Sequence, residues 1–254
     1  MKDSTNKQYE TVKLPSKGQC YHKDSPLRKG EVEISYLTAK DENIIFNPKS
    51  YTNARLLDDL LGRKVLSESD EPLSFCKGDR DALLIWLRRT AYGNDFPVFV
   101  KDDASGKKFS TVIDLSEIKY RNFDLTGDEN GYFQYFLKNG HFLKFKYPSA
   151  TEISDIRKTI IEKEKNEGNR ILMTEGLASV TMSVNGNDSR DYITQYIENM
   201  RASEAFLYRS FIYENQPGIE TIVTVDLPKE LGGGIAKAFL DIDESLFLNM
   251  GDNL

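Results

Sequence analysis

Cysteine and histidine are scarce in this 254-residue sequence, with two of each: Cys20, Cys76, His22 and His141. Two widely separated cysteines build neither a disulfide framework nor a four-ligand metal site, and their scarcity suits a reducing compartment. With so few histidines, a nucleophilic triad or an imidazole cluster would have to use one of them, with groups assembled by the fold. Cys20 and His22 would share a face if they lay on a strand, but no third ligand follows in the pattern, so they read as an ordinary loop pair. Long apolar runs are missing as well. No stretch approaches the ~18 residues of a membrane-spanning helix, and residues 1–10 lack the apolar core of a signal peptide. Positive charge is not in excess, since 34 Lys and Arg stand against 40 Asp and Glu for a net charge of −6. That balance offers no field to draw a phosphate backbone, which argues against nucleic acid as a partner. The expectation is a chain made soluble in a cytosol, with no membrane contact, no cofactor, no metal and no catalytic residue assigned.

Apolar content is sufficient for a core. Hydrophobic residues make up 39%, and 14 Phe and 13 Tyr are present, which suits one large or two small globular domains. The fold class expected is α+β, with an N-terminal region of strand, helices and β-hairpins and a C-terminal region of helices and a hairpin. The expected division is a loose arm over 1–11, an N-terminal domain over 12–147 and a C-terminal domain over 148–254.

Val32, Ile34 and Tyr36 alternate with polar neighbours as in a half-buried strand, and Thr38 with Asp41 or Glu42 marks a capped helix start. Over 51–65 the residues Ala54, Leu57, Leu60 and Leu61 recur at helical spacing. The clearest helix spans 79–92. Asp79 is expected to cap it, Asp81 to meet its dipole, Arg80 to bridge to a neighbouring element, and Arg88 and Arg89 to complement its far end before Gly93 stops it. Its centre, Leu83 to Leu87 with Trp86, is apolar nearly all round and predicts a core helix.

Strands are predicted over 98–100 and 109–115, and again over 132–137 and 141–145, where Asn139-Gly140 favours a type I′ turn with positive φ at both positions. A charged helix over 151–167 carries a narrow stripe of Ile153, Ile156 and Ile160. Residues 172–184 fit either a short helix or a strand. A helix with Tyr192, Ile193, Tyr196, Ile197 and Met200 on one face follows, capped by Asp188 or Ser189, then a helix from Ser203 to before Pro217. A last hairpin joins 220–227 to 235–242. A coarse helix-then-hairpin echo relates the two halves.

Each candidate site has a plain alternative. Asp79, Arg80 and Asp81 could serve as paired carboxylates with a cation, but a helix start asks for the same residue types. Gly232-Gly233-Gly234 lacks the Gly-Lys-Ser and Rossmann spacings of phosphate loops and reads as a hairpin tip. The Ile153, Ile156 and Ile160 stripe, and the helix bearing Leu57 and Leu60, are candidate partner-docking faces, against the ordinary reading of solvated or core helices.

Several segments together resemble one family. Leu14-Pro15-Ser16-Lys17-Gly18 with Tyr21, then Gly30-Glu31-Val32-Glu33-Ile34, Leu37-Thr38-Ala39-Lys40-Asp41-Glu42 and Gly78-Asp79-Arg80-Asp81 before the apolar helix are similar, in this order, to the baseplate hub proteins of T4-type bacteriophages. Lys138-Asn139-Gly140, Val184-Asn185-Gly186 and Pro217-Gly218-Ile219 fall where that pattern places them, so the likeness covers most of the chain. Some members of that family carry paired cysteines in their hairpin turns. This chain has none there, and a metal is not carried over. The resemblance implies a non-enzymatic structural or assembly protein of a contractile tail. Its implied partners are other tail and baseplate hub proteins, with the tape-measure protein among the candidates. It would be made in the host cytoplasm, with the virion baseplate as a later address. Two rivals stand beside that expectation: an assembly chaperone absent from the mature virion, and a hydrolase built from dispersed carboxylates.

Overall fold

In the computed structural model, the structure describes residues 8–46, 56–67, 73–101, 106, 108–167, 171–228 and 233–248. Val12, Val32 and Ile34 each point inward from strands whose other residues are mostly exposed. Their shared burial brings β1 (Tyr9–Lys13) and β2 (Glu31–Ser35) together as an antiparallel pair, with β3 (Val65–Leu66) on the other edge of β2. β1 begins inside the segment expected to be a loose arm. A single inward side chain, Val12, is too short an alternation to read as a strand. Residues 1–7 lie outside the described residues.

α1 (Ala39–Ile45) starts as expected, and the Asp41 carboxylate accepts from both the amide and the hydroxyl of Thr38 at 2.8 and 2.7 Å. α2 (Leu56–Lys64) carries the helical spacing read in the sequence, while the expected start at 51–55 lies outside the described residues. α3 (Lys77–Tyr92) is the central helix, with Leu83, Leu84, Ile85 and Leu87 all buried. Trp86 stacks on Tyr36, ring centroids 5.5 Å apart.

β4 (Asp95–Lys101) and β5 (Lys108–Asp114) form the first hairpin. β6 (Phe133–Phe136), β7 (Phe142–Phe145) and β8 (Thr181–Val184) form a second three-stranded sheet. The turn at Asn139-Gly140 is not type I′, because only Gly140 has positive φ. Leu137 N–H donates to His141 O, and Gly140 N–H to Leu137 O, as in a type I turn closed by a left-handed glycine. The paired positive φ angles occur instead at Asn185-Gly186, 51° and 84°. There Val184 and Asn187 exchange both backbone hydrogen bonds.

α4 (Ala150–Glu167) precedes the segment that fitted both helix and strand, and that segment is one of each: α5 (Leu172–Val180) runs straight into β8. α6 (Arg190–Glu198) and α7 (Ala202–Glu214) follow, then the hairpin of β9 (Ile222–Asp226) and β10 (Ile235–Phe239), and α8 (Ser245–Leu248). Helices and small antiparallel sheets alternate along the chain, which makes the fold α+β.

Two hydrophobic clusters divide these elements. One gathers residues between Val12 and Leu115 and again between Ile219 and Phe247. The other gathers residues between Phe123 and Tyr208. The chain thus leaves the first cluster, builds the second, and returns. Exit and return lie side by side: Tyr120 bridges Ile219, Arg121 N–H donates to Gly218 O at 2.9 Å, and Glu220 N–H donates to Lys119 O at 2.9 Å. The apolar pattern reports which residues are buried but not which cluster they join, so this return was invisible in the sequence.

Candidate functional site

The segment 14–30 is a series of turns closed by its own backbone hydrogen bonds, from Lys17 N–H to Leu14 O through Gly30 N–H to Leu27 O, and it wedges between the clusters. Two glycines let it fold tightly: Gly18 and Gly30 both have φ of 78°, and a Cβ on Gly18 would lie 2.3 Å from the Arg28 carbonyl oxygen. No L side chain tolerates that approach, so the chain reverses there only with glycine. Arg28 then donates to the carbonyls of Tyr21, Gly127 and Asp128, and Lys17 Nζ donates to Phe123 O at 2.6 Å, tying the wedge to the second cluster.

The wedge's other contact is with the start of α3. Asp79 is fully buried. Its carboxylate accepts from Ser16 N–H at 2.8 Å, Ser16 Oγ at 2.5 Å and Tyr21 Oη at 2.6 Å. The Tyr21 hydroxyl in turn accepts from Cys76 N–H at 3.2 Å and lies 3.6 Å from Cys76 Sγ. Asp79 is therefore not the helix cap: α3 begins two residues earlier, with Cys76 at the cap position. A carboxylate enclosed by three donors from a distant segment fixes that segment instead of closing the helix end. Burial pushes the Asp79 carboxyl above its usual range, against the opposing pull of Ser16 and Tyr21. Burial, then the neighbouring Cys76 and Asp79, holds the Tyr21 hydroxyl well above its usual value.

Arg80 does reach a neighbouring element. Its Nε pairs with Asp58 on α2, whose other oxygen accepts from Thr151 Oγ1 at 2.9 Å. Asp81 pairs with Lys77 and Arg80, and burial nonetheless raises its carboxyl. Arg88 is buried and donates to the carbonyls of Leu246, Gly93 and Asp95, so it ties α8 and β4 to α3 besides facing the helix end.

Backbone also meets backbone at this joint. A Cβ on Gly78 would fall 2.1 Å from the Pro217 carbonyl oxygen, and Gly218, at φ 140°, lies directly against it. Cys76 bridges Ser149, and Lys77 N–H donates to Pro148 O at 3.2 Å. Cys20 packs against both clusters, as does Tyr147. Cys20, Cys76, Tyr147 and Ser149 line a cavity of about 530 Å³ at the junction.

Of the two histidines, His22 also lines that cavity. His22 is exposed and accepts from Asp24 N–H at 3.2 Å, in a turn and not on a strand. His141 Nδ1 lies 2.7 Å from Tyr196 Oη. Among the described residues no three His, Cys, Asp or Glu side chains are grouped to hold a metal ion, and no helix is long and apolar enough to cross a membrane. Gly232 lies outside the described residues.

The candidate docking faces are only partly on the surface. Leu57 and Leu60 are 1% and 0% exposed in the first cluster, and Ile160 is 4% exposed, so none of the three presents a face to a partner in this fold. Helical periodicity marks a buried stripe without saying whether the same chain or another buries it. Ile153 and Ile156 remain half-buried. Larger apolar exposure occurs where the sequence reading did not look, on the outward side of the two hairpins: Phe99 is 77% exposed beside Val112, and Phe239 is 67% exposed opposite Ile222. Both phenylalanines alternate with buried neighbours, and period-two parity was the signal that could have found them.

Four of the segments that carried the family likeness, around Ser16, Gly30, Gly78-Asp79 and Pro217-Gly218, converge at this one joint. A sequence model of the family described as T4 bacteriophage base plate protein matches residues 6–228, most of the chain. Among curated proteins and among solved structures, nothing matches.

Proposed function

The chain belongs to the T4 bacteriophage base plate protein family, and from that premise we propose that it acts in the hub of a contractile tail, without catalysis, by binding other hub proteins or the tape-measure protein during assembly. It is made in the host cytoplasm and stays in the baseplate. The observation that carries this reading beyond the family is the apolar surface of the two hairpins. Phe99, Val112, Ile235 and Phe239 are all more than half exposed, and side chains of this kind left outward on a folded scaffold mark contact surfaces. Half-buried Ile153 and Ile156 on α4 supply a second face of the same character.

The carboxylates at the joint support a structural role. Asp79 is engaged by three donors and shut from solvent, and Asp81 is paired with two cations. Groups held in that way position backbone and are poor proton acceptors for a substrate.

The test is co-purification of the tagged protein from infected cells at timed points, beside mass spectrometry of finished particles. Wild type is expected to bring down tail proteins and to persist in particles. A Phe99→Ser, Phe239→Ser double variant is expected to keep its Tm and lose those partners. Absence from finished particles would make the protein an assembly factor that departs. If no tail protein comes down, or if the folded double variant retains every partner, the reading falls.

A further inference from the structure

α7 is apolar on nearly all sides, yet Tyr208 is its one fully buried residue. A helix of that composition normally lies inside a core. Ala205, Phe211 and Ile212 pack partly against the second cluster, while Phe206 and Tyr213 stand 58% and 63% exposed. Those two are seven positions apart and share a face, with half-buried Arg209 between them at helical spacing. Of the helix's two carboxylates, Glu204 falls on the opposite side and Glu214 sits at the end.

This stripe runs into a cleft of positive character. The Arg121 guanidinium lies 5.2 Å from the centre of the Tyr213 ring. Arg121 also lines a cleft of about 400 Å³ with Tyr120, Lys13, Lys17 and Lys29, and Glu31 is the one carboxylate in that lining. Lys17 lies 3.3 Å from Asp124, and Arg121 lies 3.7 Å from Glu220, both in pairs open to solvent on at least one side. Lys13 and Lys29 are exposed, and among the described residues the side chains of Lys13, Lys29 and Arg209 have no ion-pair or hydrogen-bond partner. Three unpaired cations beside two outward aromatic rings, on a chain whose net charge is −6, form a local exception to its acidic surface.

We propose that this surface docks an acidic, amphipathic segment of a partner protein, whose carboxylates meet Lys13, Lys29 and Arg209 while its apolar side chains lie along Phe206 and Tyr213. Charge complementarity selects the partner, and the aromatic stripe supplies the apolar area that an exposed ion pair lacks. Lys13 lies on β1 of the first cluster and α7 packs on the second, so an occupant spanning the surface bridges the joint from outside and raises the Tm of the bound protein. The surface shares no residue with the two hairpin faces and stands without them.

The test titrates the full chain with fluorescent peptides built on a Glu-Glu-Leu repeat, with versions carrying Ser for Leu or Lys for Glu, and with an oligothymidylate. The expected result is binding of the Glu-Leu peptide that weakens as salt shortens the Debye length from about 10 Å at 0.1 M to 3 Å at 1 M, and weaker binding or none for the other three probes. Lys13→Glu with Lys29→Glu should keep its Tm and bind the Glu-Leu peptide roughly tenfold more weakly, whereas Lys13→Arg with Lys29→Arg should bind as wild type does. Phe206→Ser with Tyr213→Ser should lower affinity for the Glu-Leu peptide and leave that for the Glu-Ser peptide unchanged. Phe99→Ser with Phe239→Ser should bind normally, which separates failure of the hairpin reading from failure of this one. A Glu-Leu peptide that does not bind, or that binds the charge-reversed variant as tightly as wild type, would overturn the proposal. So would an oligothymidylate held as tightly as the peptide, which would make the site one for phosphate backbones, and so would self-association abolished by the charge reversal, which would make a second copy the occupant.

Discussion

Ser16 donates to Asp79 twice, from its amide and from its hydroxyl, across 63 positions of sequence. The two residues hold the wedge to the central helix, and both are shut from solvent. Asp79→Ala strands the Ser16 and Tyr21 donors in a buried site. The expected loss is about 3 kcal/mol or more, given roughly 1–3 kcal/mol for each buried group left unpaired. Urea denaturation of the variant checks it.

The same carboxyl sets a pH dependence. Burial raises its folded value above that of the unfolded chain, so in that interval the folded state binds more protons and stability falls as pH rises. Asp79→Asn should remove that part of the slope. Denaturation midpoints of wild type and variant across the acid range should converge toward different limits, and parallel curves would contradict the assignment.

Asp41 and Lys64 carry the opposite sign. Burial disfavours the Asp41 charge, but hydrogen bonds from Lys64, at 2.8 Å, and from Thr38 overcome it and hold the carboxyl below its usual range. Its contribution is therefore present above the unfolded value and lost as pH falls through the folded one. Lys64→Met should cost about 3 kcal/mol at neutral pH, since it leaves a largely buried carboxylate unpaired. The difference from wild type should shrink in acid, as measured by denaturation at each pH.

Glycine replacements separate tight backbone contact from mere flexibility. Gly78→Ala forces a Cβ to 2.1 Å from a carbonyl oxygen, whereas Gly62, within α2, has nothing within 4 Å of the new atom. The first should destabilise by about 2 kcal/mol or more, through overpacking against rigid backbone. The second should stabilise by roughly 0.5–1 kcal/mol through helix propensity. Thermal melts of the two variants should move in opposite directions.

Leu60 and Ile156 test what a helical stripe means in this chain. Leu60→Ala should cost about 3 kcal/mol from a core cavity, with any loss of partner binding following from unfolding. Ile153→Glu with Ile156→Glu should change stability by roughly 1 kcal/mol or less, both sites being half-buried. If α4 docks a partner, that double variant loses binding while its melt is unchanged, which pull-down beside calorimetry would show.

Local signals were the legible part. Alternation at Val32 and Ile34, the Thr38 and Asp41 start of α1, and the apolar run of Leu83 to Leu87 each depend on neighbours a few residues apart, and each gave its element. Asn139-Gly140 was misjudged because an Asn-Gly pair favours two turn geometries, and loop length, set by strand register, chooses between them. What could not be read was convergence. Nothing in the wedge announces that Ser16 and Tyr21 will satisfy Asp79, and nothing near Leu57 or Leu60 tells a core stripe from an interface. Those outcomes are decided by contacts between distant segments, which a one-dimensional pattern does not encode. The family likeness held information the periodicities lacked, since four of its motifs, around Ser16, Gly30, Gly78-Asp79 and Pro217-Gly218, meet at one joint.

The chain's departure from and return to the first cluster has a bearing on synthesis. A ribosome delivers residues 123–212 before it delivers Ile219 to Phe247, so the inserted cluster has its full complement of side chains while the outer one still lacks β9, β10 and α8. The inner unit can close on the nascent chain, but the segments synthesised first must wait for the last, with α3 exposing part of its apolar surface meanwhile. The outer cluster is therefore completed only when β9, β10 and α8 arrive, and a chain released before them would carry a finished centre inside an open shell.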